Sequence, residues 1–76
     1  MAGWHSLKRR EFIRKLRALG FVGPYRGTRH DFLVFGPHRQ TVPSNSDYSV
    51  PQVKMLLRQV ETILGRKISL EKWDEL

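Results

Sequence analysis

Between Phe21 and Val42 the chain is interrupted three times by turn-forming pairs: Gly23-Pro24, Gly27-Thr28 and Gly36-Pro37. No helix runs easily through such a stretch. Proline lacks the backbone N–H and clashes with the preceding turn, and glycine loses the most freedom on ordering. What lies between the breaks is short. Phe21-Val22 opens a first strand, which Gly23-Pro24 breaks or kinks before Tyr25-Arg26 resumes it. A second runs from Arg29 to Phe35 and holds four consecutive apolar residues, Phe32 to Phe35, the pattern of a buried or half-buried strand. A third covers His38 to Val42. Strands this close in sequence predict an antiparallel meander.

The flanks have the other periodicity. Ser6 is placed to cap a helix from Leu7 to Leu19, with Leu7, Phe12, Ile13, Leu16 and Leu19 on one stripe and Gly20 as its left-handed end. Lys8, Arg9, Arg10, Arg14, Lys15 and Arg17 cover the rest of that helix. After a polar loop, Pro43 to Asp47, Ser49 caps a second helix with Pro51 in its first turn. Val50, Val53, Leu57, Val60 and Leu64 make its apolar face, and Gly65 ends it. Ser69 begins a short terminal helix from which Trp73 docks back, and Trp4 anchors a loose start from Met1 to His5. Phe12, Phe21, Phe32 and Phe35 read as core. The expected class is α+β: a three-stranded antiparallel sheet with two helices on one face and a short C-terminal helix. At 76 residues it is a single domain, 1–76, with a small core.

Hydrophobic residues make up 39% of the chain, too few to enclose a deep pocket, so any chemistry belongs in a shallow groove. The net charge is +7, from 14 Lys and Arg against 7 Asp and Glu. Such an excess favours a polyanionic partner, nucleic acid before an anionic membrane or an acidic protein. The absence of Cys excludes a disulfide scaffold and a Cys-based zinc site. His5, His30 and His38 lack helical i,i+4 spacing, which leaves a helix-borne metal site unsupported, and no cofactor is expected. No apolar run reaches membrane-spanning length and no signal-peptide pattern precedes the first helix, so a cytoplasmic protein without a membrane partner is expected.

Arg29, His30 and Asp31 stand between the Gly27-Thr28 turn and the apolar run. Histidine is the side chain suited to proton transfer near neutrality. Beside arginines it suits work on a phosphodiester. The plainer alternative is a strand histidine packed with Phe32 and Val34, which share its parity. Asp31 could orient the imidazole, although a strand neighbour points to the other face. His38 reads as a solvated hairpin residue and His5 as part of the loose start.

The order of these elements resembles the HicA family of toxins from bacterial toxin–antitoxin systems, over nearly the whole chain from Ser6 to Trp73. Leu16 to Phe21 (Leu-Arg-Ala-Leu-Gly-Phe) is similar to the end of the family's first helix and the start of its first strand. Gly27-Thr28-Arg29-His30-Asp31-Phe32 resembles the Gly-Ser-His-His-x-aromatic signature and its Gly-Gly-Lys-His-x-Phe variant. Thr41-Val42-Pro43 is similar to the third strand's ending, and Leu57-Arg58-Gln59 to part of the closing helix. Two departures stand out. Arg29 occupies the position where the commoner signature has its catalytic histidine, leaving His30 as the match to the Lys-His variant, and Pro43-Ser44-Asn45 lacks a histidine frequent in that loop.

The resemblance implies a fold like the double-stranded RNA-binding domain, ribosome-independent cleavage of mRNA by a catalytic histidine, and neutralisation by a HicB-like antitoxin. On this chain His30 would take the 2′-OH proton, and Arg29 or Arg26 would stabilise charge at phosphorus. Arg10, Arg14, Arg17, Arg26, Lys54 and Arg58 would hold backbone phosphates, and Tyr25 or Tyr48 would stack on bases. Two other readings stay open: a non-catalytic RNA-binding module, and a module whose positive face docks an acidic protein.

Overall fold

Leu7 and Lys8 do not join the first helix. In the computed structural model, which describes residues 3–76, they form β1 (Leu7–Lys8), paired antiparallel with β5 (Asp47–Tyr48). The expected cap at Ser6 is therefore corrected: α1 spans Arg9–Ala18, with Lys8 at its cap position and no side-chain cap. The Arg9 N–H donates to the Ser46 carbonyl at 2.8 Å, and Lys8 Nζ meets Asp47 Oδ1 at 2.9 Å. The Lys8 hydrogen bond, and then its charge, hold the Asp47 carboxyl below its ordinary value. Contacts with the loop near residue 47, remote in sequence, outweigh the local helical pattern.

The far end of α1 follows the sequence. Gly20 takes φ +108°, its N–H bonds the Arg17 carbonyl, and the Phe21 N–H reaches back to the Leu16 carbonyl. That pair of bonds is a Schellman closure, and glycine is the residue that meets its positive φ without strain. Leu16 and Phe21 are both buried, completing the hydrophobic contact that accompanies it.

The meander is β2 (Val22–Tyr25), β3 (Asp31–Phe35) and β4 (His38–Val42), in that spatial order. Gly23-Pro24 kinks the first strand without breaking it: Val22 pairs with Val34 and Tyr25 with Phe32, the register shifting between them at a bulge. Gly36-Pro37 forms the two-residue turn that lets Phe35 face His38. β3 starts at Asp31 instead of Arg29 because its partners run out there. β2 ends at Tyr25, opposite Phe32, and β4 ends at Val42, opposite Asp31.

Leu33, Gln40 and Val42 are buried on one side of the sheet, and this side carries the helices. α2 (Val50–Leu64) is capped by the Ser49 side chain, which accepts from the Gln52 N–H, and it stops at Gly65. Its Gln59 Oε1 accepts from Gln40 Nε2 at 2.8 Å, while Gln40 also donates to the Thr41 carbonyl. The buried amide is thus satisfied, as an interior polar group must be. α3 (Leu70–Glu75) is capped by Ser69 and sends Trp73 back against Phe12 at 5.8 Å. Trp4 packs partly buried against the same core, and Met1 and Ala2 lie outside the described residues. The shortest extent, 17 Å, accommodates two layers and not three.

Half of the cations assigned to the outside of the first helix are consumed by the fold. Lys8 pairs with Asp47. Arg9 Nη2 donates to Asp31 Oδ2 at 2.8 Å and its Nε to the Pro43 carbonyl at 3.1 Å. Tyr48, fully buried, donates its hydroxyl to that same carbonyl at 2.7 Å. Burial raises the Tyr48 phenol above its ordinary value, against the opposing influence of Arg9. Lys15 is buried, not solvated: Nζ donates to the Trp73 carbonyl at 2.7 Å and sits 5.3 Å from the Trp73 ring centre. Its pKa is lowered chiefly by that burial, then by Arg14. No helix of the described residues is long and apolar enough to cross a membrane.

Candidate functional site

The segment linking β2 to β3 holds the residues to which the sequence assigned chemistry. Thr28, Arg29 and His30 form an exposed bend there. The alternative of a strand histidine packed by parity against Phe32 and Val34 is corrected, since His30 is exposed and lies outside the ladder. Gly27 explains how the bend is built. A Cβ at that position would overlap the His30 carbonyl oxygen and crowd Phe32 Cδ1 at 3.4 Å. The close approach of backbone to backbone requires glycine there. Gly27→Ala is therefore expected to push the Thr28–His30 bend outward, with a loss of about 1–3 kcal/mol from overpacking. Two-dimensional NMR would detect it as amide shifts confined to the residues around this bend; an unchanged spectrum would refute the tight packing.

Gly27, Thr28, Arg29, His30, Phe32, Arg39 and Thr41 line an open hollow of about 330 Å³. The sequence had not assigned Arg39 or Thr41 to a site. Strand alternation carries that signal once the register is known, since Arg39 faces Val34 and Thr41 faces Phe32, on the side away from the helices. Arg39 holds its guanidinium carbon 4.5 Å from the Phe32 ring centre. Tyr25 lies 5.8 Å from Phe32 with the rings inclined at 38°.

Other assigned residues do not reach this hollow. Arg10, Arg14 and Arg17 are exposed on α1, where a spacing of three to four residues keeps them on one face. Arg10 lines a different hollow, with Lys8, Arg9, Ser44 and Ser46. Lys54 and Arg58 stand on α2 beside Trp4, Glu61 and Lys67. Arg26 is exposed just before Gly27. Asp31 is engaged by Arg9 on the helix side, so the orienting role considered for it is not what its geometry provides. Tyr48 is buried and cannot stack on a base, whereas Tyr25 is 47% exposed. His38 is exposed at the β3–β4 turn and His5 is exposed near the start.

The site can thus offer an exposed imidazole, two free guanidinium groups and an aromatic floor. It can present a base to a proton and positive charge to a phosphate. Among the described residues no three His, Asp or Glu side chains come together as a metal site would need. No protein-family model, curated protein or solved structure matches the chain.

Proposed function

We propose that the chain is a metal-independent endoribonuclease of the HicA type, a fold like the double-stranded RNA-binding domain that cleaves mRNA and is neutralised by a HicB-like antitoxin. The observation that carries this reading is the gathering of His30, Arg29 and Arg39 in one open hollow, over a glycine that the bend requires sterically. The order α1, β2, β3, β4, α2 is the order such a domain has, and the +7 charge suits an RNA partner.

RNA brings its own nucleophile. His30 takes the proton of a ribose 2′-OH, and that oxygen attacks the adjacent phosphorus in line with the leaving 5′-oxygen. Arg29 donates to the non-bridging oxygens as charge builds on them, with Arg39 beside it. The P–O5′ bond breaks, leaving a 2′,3′-cyclic phosphate on one fragment. The 5′-oxygen takes a proton from solvent, which reaches the open hollow freely. Arg10, Arg14, Arg17, Arg26, Lys54 and Arg58 hold more distant phosphates and fix register without adding chemistry.

The purified protein, incubated with RNA in EDTA, is expected to give fragments ending in 2′,3′-cyclic phosphate and 5′-hydroxyl groups, and a single 2′-deoxy substitution at a cut site should block that cut. RNA left intact after long incubation would favour the second reading, a non-catalytic RNA-binding module. That alternative draws support from the engagement of Asp31 by Arg9, which leaves the imidazole without this carboxylate as an orienting partner.

A further inference from the structure

The side of the sheet turned away from the helices has a composition that cleavage chemistry does not require. Val22 is 56% and Tyr25 47% exposed, and Phe32 and Val34 are only half-buried. Arg39 and Thr41 complete this side, both exposed. The seven carboxylates of the chain all lie elsewhere: Glu11 on α1, Asp31 bound to Arg9, Asp47 bound to Lys8, Glu61 on α2, and Glu71, Asp74 and Glu75 on α3. The face is apolar, aromatic and cationic, with no acid to neutralise it.

We infer that this open face seats unpaired nucleotides, one base stacking on Tyr25 and its neighbour on the guanidinium that Arg39 holds against Phe32. The inference rests on the RNA reading above and names the form of RNA it takes: single-stranded. Three observations carry it. The Tyr25 ring is exposed beside Phe32, the pairing of a stacking platform. Arg39 holds its guanidinium carbon over the Phe32 ring at 4.5 Å, a cation on an aromatic face against which a base can stack, and among the described residues its N–H groups make no hydrogen bond that would keep them from phosphate. Phe32 and Arg39 also line the hollow that holds His30, so a strand laid on the platform runs directly to the imidazole. A duplex uses none of this, because its bases are already stacked on one another, and A-form geometry keeps the 2′-oxygen from an in-line approach.

Binding can be read apart from cleavage with an oligonucleotide that lacks the nucleophile. The probes are a mixed-sequence 2′-O-methyl single strand of about ten nucleotides and its duplex with the complementary 2′-O-methyl strand, followed by fluorescence anisotropy. Tyr25→Ala is expected to weaken single-strand binding about tenfold and duplex binding less than about twofold, while Tyr25→Phe keeps the affinity. Arg39→Ala should also weaken single-strand binding and lower the salt slope by about 0.7. Both positions are exposed, and circular dichroism would confirm that the variants fold. An equal loss on single strand and duplex overturns the inference and makes the face a general phosphate-binding surface, and no loss on either overturns it and leaves the face to an acidic protein partner. Because the probe cannot be cut, the ribonuclease reading can fail while this one stands, and the reverse.

Discussion

His30→Ala is expected to lower RNA cleavage about 10²–10⁴-fold, the contribution of a positioned general base. The loss should appear in the cleavage step, with stability changed by less than about 0.5 kcal/mol. The reason for the second half is structural. His30 is exposed, lies outside the ladder and contributes no packing to the core. Circular dichroism and urea unfolding would establish the fold, and cleavage would be followed in EDTA at several pH values. Arg29→Ala should also cut more slowly, since it removes a donor to the charged phosphorane. His38→Ala, at the far turn of the β3–β4 hairpin, should cut normally. Undiminished cleavage by pure His30→Ala protein would sink the assignment of the base, whatever the RNA affinity.

The second large effect is on stability. Phe12→Ala is expected to cost about 3–5 kcal/mol, out of roughly 4–11 kcal/mol available to a domain of this size. Phe12 is fully buried and packs against Tyr48 at 5.5 Å, edge to face, as well as against Trp73. Its removal opens a cavity where α1, β5 and α3 meet, so the loss exceeds the transfer energy of one ring. The urea midpoint should fall sharply and the tryptophan emission shift to the red, because Trp73 loses its neighbour. A cost below about 1 kcal/mol would mean that Tyr48 and Trp73 close the gap, and that the aromatic cluster is softer than its packing implies.

Much of the fold was legible because it depends on short-range chemistry. Ser49 and Gly65 bound α2 where capping and left-handed closure predict, and Gly20 closes α1 by the same logic. The span His38–Val42 and the meander follow from turn residues and short links. The start of α1 was not legible. Leu7 and Lys8 fit a helical stripe, yet they pair with Tyr48 and Asp47, about forty residues away. Nothing local to Leu7 carries that information.

The candidate site divides in the same way. The sequence by itself determined that an Arg-His pair follows Gly27-Thr28, and that the chain carries a net charge of +7. Tertiary structure decided which cations remain available: Lys8, Arg9 and Lys15 are bound internally, while Arg10, Arg14 and Arg17 stay free on α1. It also decided that His30 stands beside Arg39 and Phe32, because two strands must pair before alternation can assign a side chain to a face. Propensity and capping act over one turn of chain, and a sequence states them directly. Ion pairing and strand register are settled between distant segments, so they become definite only when the core closes.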